Sequence, residues 1–402
     1  MSPFIRRLSL CLLLGVVAAA LGGCWNRREL DQLGIQLGTS IDRTGNEYSI
    51  AVQVVIPGEV SSRMGSSTRS PVTLFKATAP TIFEAFRKLT ETSPRKIYSA
   101  HIRVVIISEA VARAGIADVL DLFSRNPEAR TDFYLMIARN TPAVQVLETL
   151  TSLEKIPAEK LFYSLDTSAK AWSPTTTVTI DKIINQLVAE GQSPVLTGVT
   201  IEGNSREGER ITNIQQIEPK ARTRFNMLAV FKQDKLKGWL DENESRGYNY
   251  IKNNVRSSGG HVVCPEGGYV GLETLRNHTV MHADVVNGEP VIRLKITNVS
   301  AVSDVECAID LTNPDTIRML EKASEKKLIK IVEDTIEHVR TTYDFDVFGF
   351  GQALYQSHPR VWEKVKHDWP QRLRTLKVEV KARVLIHKIG TTNHSFIKDI
   401  KE

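Results

Sequence analysis

The apolar-rich segments 35–41 and 48–56 read as strands, and the Asp42–Asn46 stretch between them carries turn chemistry, so the pattern predicts two strands joined by a turn. Residues 61–70 are serine-rich, with little to pack, and read as a loop. Further on, Ile82, Phe83, Phe86 and Leu89 share one face of a helix expected over 81–90. The run Val104-Val105-Ile106-Ile107 is β-branched throughout, which favours a buried strand. A helix at 116–123, a strand at 133–138 and a helix at 142–150 complete a β-β-α-β-α-β-α order, and a helical stretch at 178–188 ends the block near residue 190. One mixed sheet with helices packed on it satisfies that order, giving an N-terminal α/β domain over 24–190.

Residues 191–256 differ in character. Strand-like segments at 195–201 and 226–231 flank a polar run at 202–213, and an Asn-, Ser- and Gly-rich stretch follows Leu240. This predicts a small middle domain. After Ser257-Ser258-Gly259-Gly260, a C-terminal α/β domain over 257–402 carries an alternating strand at 291–296. Asn313-Pro314-Asp315 then signals a helix start: asparagine caps, proline tolerates the first turn, and aspartate favours the positive end of the dipole. Ile317, Leu320, Leu328, Ile331, Ile336 and Val339 continue that helix to about residue 343, a second helical region covers 359–369, and Val378, Val380, Arg383 and Leu385 mark a last strand before Gly390. The expected class is α+β: three mixed α/β domains, each a sheet with packed helices, following a cleaved leader.

The leader is residues 1–23. Arg6-Arg7, an apolar stretch over 8–20 and the small-residue end Leu21-Gly22-Gly23 form an export signal, and Cys24 stands directly after it. That arrangement resembles a bacterial lipobox, in which Cys24 becomes S-diacylglycerol cysteine and the chain is cut before it. The apolar stretch falls short of the roughly 20 residues a membrane span needs. Two acyl chains, each buried CH2 contributing about 0.8 kcal/mol, hold a protein stably to a membrane face without crossing it. The whole chain carries a net charge of +6; loss of the leader removes two arginines and no acid, and what remains is too small to define a partner. Cys11 leaves with the leader, so Cys264 and Cys307 remain near strand-like segments, where they either pair or stand as separate thiols.

Catalytic motifs are missing from the sequence. It contains no phosphate-binding P-loop, no HExxH and no GxSxG. Gly349-Phe350-Gly351 begins like a dinucleotide fingerprint, but Leu354 occupies the third glycine position. These glycines are expected to serve a tight turn or close packing, with Phe348 and Phe350 as core anchors. His278 and His282 have no evident third ligand and read as surface histidines, and His358, just before Pro359, reads as a residue that opens a helix. Trp362 and Trp369, beside Val361 and Val365, fit either a docking stripe or, as expected here, the core. The charged run 321–330 sits on a leucine- and isoleucine-bearing helix and reads as its solvated face. Basic residues are not interleaved with aromatics as nucleic-acid binding would require. No metal or cofactor is expected.

Two sets of residues carry a family resemblance: Gly23-Cys24-Trp25-Asn26-Arg27-Arg28-Glu29-Leu30 with the residues to Ile35, and Asp346-Val347-Phe348-Gly349-Phe350-Gly351 followed by Pro359, Trp362 and Trp369. Arg87-Lys88-Leu89, the stretch from Ala100-His101-Ile102 to Leu122-Phe123, and Arg130 accompany them. Together these resemble the Ger(x)C family, the lipoprotein C subunit of spore germinant receptors. The resemblance implies a non-catalytic, three-domain α/β subunit, lipid-anchored on the outer face of the inner spore membrane. Its implied partners are two integral membrane proteins, the A subunit and a transporter-like B subunit, in a complex that answers nutrients. The alternative is a solute-binding lipoprotein that captures a small nutrient between lobes, although the helix–strand order of the C-terminal block does not repeat that of the first.

Overall fold

The computed structural model describes residues 29, 32–61 and 70–388, with 3–7, 9 and 12 near the N-terminus. Cys24, the rest of the expected leader and most of the serine-rich 61–70 stretch lie outside the described residues.

Nine strands form a first sheet: β1 (Leu33–Thr44), β2 (Glu47–Val55), β3 (Val72–Ala79), β4 (Lys96–Tyr98), β5 (Val104–Ser108), β6 (Tyr134–Ala138), β7 (Val195–Gly203), β8 (Ala221–Lys232) and β9 (Lys235–Leu240). Their order is β3-β2-β1-β5-β6-β7-β8-β9, with β4 beside the start of β1. β1, β5, β6 and β7 run parallel, and antiparallel strands flank them on both sides. The side chains of β5 explain the layering. Val105 and Ile107 face a core shared with α1 (Ile82–Lys88), α2 (Glu109–Ala114), α3 (Ala117–Arg125) and α6 (Ile180–Val188). Val104 and Ile106 face the opposite core, under α4 (Ala143–Glu148) and α5 (Pro157–Ala171). All four are fully buried, as parallel strands covered by helices on both faces must be. Each such side chain contributes about 1.5–3 kcal/mol relative to exposure.

The stretch expected as a small middle domain supplies β7, β8 and β9 to this first sheet and then α7 (Glu242–Ile251). A second sheet follows, β10 (Ser258–Val263), β11 (Tyr269–Val286), β12 (Glu289–Val305) and β13 (Lys377–Lys388), in that spatial order. α8 (Pro314–Thr342) packs against it, with Asn313 capping through a 2.8 Å bond from the Asp315 N–H. Three short helices, α9 (Phe350–Ser357), α10 (Pro359–Val365) and α11 (Trp369–Thr375), lead back to β13. The helical region expected over 359–369 is thus split, and Pro370, which has no N–H to give, sits in the first turn of α11. One core joins the two sheets: Val195, Leu228 and Val230 pack with Tyr248 and Ile251 of α7, with Ile292, Leu294 and Ile296 of β12, and with Val332 and Ile336 of α8. The mixed sheet-and-helix class read from the sequence is the class observed.

The charged run on α8 does more than meet solvent. Glu325 accepts the Val384 N–H at 3.1 Å and Glu321 accepts the Ile386 N–H at 2.9 Å, so two carboxylates one helical turn apart satisfy alternate donors on the open side of β13. At the other edge, Lys327 donates to the His261 carbonyl at 2.8 Å and Arg246 to the Gly259 carbonyl at 3.3 Å. Acids therefore engage two N–H groups on one edge of the sheet and bases two C=O groups on the other, which blunts both edges as templates for strand addition. In the double variant Glu321→Ala/Glu325→Ala, amide hydrogen exchange at Val384 and Ile386 is expected to speed up about tenfold or more. Unchanged protection at both amides would refute the covering role.

Candidate functional site

An open groove of about 840 Å3 runs between α1 and α3. Thr81 starts α1 by accepting the Glu84 N–H at 3.1 Å, and this sets Ile82 and Ala85 inward while Phe83 stays 55% exposed on the groove wall. Phe86 and Phe123 meet edge-on, ring centroids 6.2 Å apart, and with Leu122 form the apolar floor. The Arg87 guanidinium lies 4.9 Å from the Phe83 ring centroid, a cation–π contact. Charged side chains on the rim are paired: Lys96 with Glu128, and Arg125 with Asp121 at 2.8 Å. Tyr48 donates to Asp118 at 3.1 Å, and burial together with that carboxylate pushes its hydroxyl above the usual phenol range. An apolar floor with neutralised rims suits contact with another protein's side chains. Sequence reasoning placed Phe83 on the apolar face of its helix without separating it from the core, because its i,i+3 spacing to Phe86 is that of a core position.

A second constellation surrounds Asp346. Its Oδ1 accepts the N–H groups of Phe348 (2.9 Å) and Gly349 (2.8 Å), and its Oδ2 accepts the Gly351 N–H (2.8 Å) and the Trp369 indole N–H (3.2 Å). The Asp346 carbonyl accepts the Ser193 N–H at 2.7 Å, and Lys252, the C-cap of α7, donates to the Phe348 carbonyl at 2.9 Å. Burial raises the Asp346 carboxyl above the ordinary range, against the pull of these donors and of the nearby ammonium, while burial lowers Lys252. Gly349 has φ +77°, a left-handed conformation that glycine adopts without strain. A Cβ on Gly351 would stand 2.8 Å from both Gly191 Cα and the Trp362 ring. The glycines thus serve a turn and a close approach, and Phe348 and Phe350, both essentially inaccessible, are the expected core anchors. The node ties the first sheet's 191–193 connection to α7 and to the C-terminal helices.

Other candidates from the sequence separate clearly. Trp362 and Trp369 are buried and meet edge-on at 5.3 Å, and the Trp362 indole donates to Glu190, so both belong to the core. His278 and His282 are exposed on β11, where four residues of strand separate them by about 13 Å, too far to share an ion. His358 precedes α10 and its Nδ1 lies 2.9 Å from Ser357 Oγ. Cys264 and Cys307 form a disulfide. Among the described residues no group of three or more His, Cys, Asp or Glu is placed to hold a metal ion, and no helix is long and apolar enough to cross a membrane.

Fold and site define a mixed α/β protein of two sheets with packed helices. Residues 26–201 match the model of the spore germination protein N-terminal domain, and residues 226–390 match that of the spore germination B3/GerAC-like C-terminal domain. Spore germination protein KC of Bacillus subtilis (strain 168) is 30% identical over 409 residues, covering 99% of this chain and 100% of that protein. Spore germination protein B3 of the same organism is 23% identical over 359 residues, covering 88% and 90%. The crystal structure of the GerBC protein superposes with a TM-score of 0.55 at 17% identity, covering 87% of this chain and 97% of that one, which supports the shared fold. The chain belongs to the Ger(x)C family of spore germination proteins.

Proposed function

We propose that the chain is a non-catalytic, lipid-anchored subunit of a spore germinant receptor. Its place in spore germination follows from its family, and the observation that carries the reading is 30% identity to Spore germination protein KC along essentially the whole of both chains. In this reading Cys24 bears the diacylglyceryl group, residues 1–23 are removed, and the folded body sits on the outer face of the inner spore membrane. Its partners are the integral A and B subunits, and the groove between α1 and α3 receives one of them. Tethering raises the effective concentration of the groove near those partners to the millimolar range, so a modest contact suffices for assembly. Nutrient binding within the complex then shifts the balance between assembled states.

Cys24→Ala tests the anchor. The variant is expected to fold, to leave the membrane fraction, and to slow nutrient-triggered germination roughly tenfold or more, the advantage a tether confers on weak contacts. Membrane fractionation and germination assays on spores read both effects. A variant that stays on the membrane and germinates at the normal rate would sink the proposal.

A further inference from the structure

Between α5 and β8 lies a cavity of about 300 Å3, bordered also by the start of α7. Lys160 reaches it from α5. Its ammonium donates to the Thr223 carbonyl at 3.0 Å and to Thr223 Oγ1 at 2.5 Å, and it lies 5.9 Å from the Phe225 ring centroid. No carboxylate stands within 4 Å of it among the described residues, in contrast to Lys170 on the same helix, which pairs with Asp166. Desolvation without a compensating charge pulls the Lys160 ammonium down to about 8. A half-buried cation lacking a counter-ion carries a desolvation cost that an anion joining it would offset.

The rest of the lining is consistent with a ligand. Asn226 and Met227 form a bulge opposite the single residue Gly198, where a Cβ would stand 2.5 Å from the Asn226 carbonyl. Met227 takes φ +65° there, an uncommon conformation for a residue with a side chain. Bulges and strained residues of this kind are enriched beside binding sites, where they re-aim side chains. Ser164 and Ser168 contribute hydroxyls, and Trp172, 39% exposed, forms an aromatic wall backed by the Arg246 guanidinium 4.1 Å from its ring centroid. The other charged groups at the cavity are Arg224 of β8, engaged by Glu202 at 2.6 Å, and Glu242 of α7, 3.5 Å from Arg246.

We propose that this cavity binds a small organic carboxylate, with the anionic group on the Lys160 ammonium and the Thr223 hydroxyl and the apolar body against Phe225, Met227 and Trp172. The Thr223 hydroxyl accepts from Lys160 and so keeps its own proton to donate. The inference depends on neither the lipid anchor nor the receptor partners.

Calorimetric titration of the detergent-solubilised full chain with benzoate, isovalerate, acetate and inorganic phosphate tests it. Saturable 1:1 binding is expected for benzoate and isovalerate and weaker binding for acetate. Lys160→Met is expected to weaken binding at least tenfold with the melting transition retained. Ser164→Leu, which fills the cavity and leaves the ammonium in place, should lose binding as well. Because only the protonated amine attracts the anion, affinity is expected to fall about tenfold between pH 7 and pH 9, as a group titrating near 8 dictates. A purely structural lysine would give no such dependence. Absence of saturable binding by any carboxylate, equal affinity in Lys160→Met, a flat pH profile, or binding of phosphate alone would each overturn the proposal.

Discussion

Asp346→Ala is expected to lower the unfolding free energy by about 4 kcal/mol, because it strips the acceptor from four buried donors at once. Three are backbone amides, of Phe348, Gly349 and Gly351, and the fourth is the Trp369 indole. None has a local substitute: the segment is a turn with a left-handed residue, so no helical ladder takes over those N–H groups. Water would have to enter a region where Phe348, Phe350 and Leu354 are essentially inaccessible. The loss is also felt at a distance. Ser193 and Gly191 bond to this segment from the first sheet's side, and Lys252 bonds to it from the C-cap of α7. The variant is therefore expected to loosen the junction between the sheets as well as the turn itself. Asp346→Asn is the informative comparison. It retains one acceptor oxygen for Phe348 and Gly349 but turns an NH2 toward the Gly351 and Trp369 donors, so an intermediate loss of about 2 kcal/mol is expected. Chemical denaturation followed by tryptophan fluorescence, to which the buried pair Trp362 and Trp369 contributes, measures both. A loss below about 1 kcal/mol in Asp346→Ala would show that the carboxylate is not what holds the turn.

How much of this was legible in the sequence depends on how local the cause is. The β5 strand was, because four consecutive β-branched residues declare burial on both faces without knowledge of the neighbours. The start of α8 was equally plain, since Asn313, Pro314 and Asp315 each act within one helical turn. α7 was not read as a helix, because its Asn, Ser and Gly residues have poor helix propensity. Its cause lies in a capping box, Asp241 to the Glu244 N–H at 2.8 Å and Glu244 back to the Asp241 N–H at 2.7 Å, and in burial of Tyr248 and Ile251. That box was visible as Asp241-x-x-Glu244, but without an apolar stripe to follow it. α5 and its Lys160 went unread for the opposite reason: the helix starts at Pro157 with no side-chain cap.

The two sheets were harder still. Strand periodicity identifies β7 and β8, yet nothing in their residues says that they extend the first sheet, since that depends on pairing with β6 more than fifty residues earlier. The same holds for the charges of α8. Glu321 and Glu325 look like any solvated pair until β13, about sixty residues on, presents its bare N–H groups. The groove and the Asp346 node divide along the same line. The node's residues were already visible as a motif, and only their bonding was missing. The groove exists because α1 and α3, some thirty residues apart, meet on one face of the first sheet, so its floor cannot be seen in either helix alone.

Removing the disulfide by Cys264→Ser/Cys307→Ser is expected to lower stability by about 4 kcal/mol, the loop-closure contribution for a 43-residue separation. The bond joins the residue after β10 to the connection between β12 and α8, so the enclosed loop contains the whole β11–β12 hairpin. Cross-linking that loop restricts the unfolded chain, while in the folded state both cysteines sit in a small core with Val262, Val270, Leu272, Val302, Leu311 and Leu320. Serine brings a hydroxyl into that core, so the Ala double variant separates the cross-link from the polar cost: both should lose the entropic part, and the Ser pair somewhat more. The effect is expected to concentrate locally. β10 is an edge strand whose Gly259 and His261 carbonyls are bound by Arg246 and Lys327, so its amides should lose exchange protection before those of β12. Reductant added to the wild-type protein should reproduce the shift in denaturation midpoint and leave the double variants unmoved. If reductant destabilised the variants as much as the wild type, or if wild type and variants shared one midpoint, the cross-link would contribute nothing to this end of the fold.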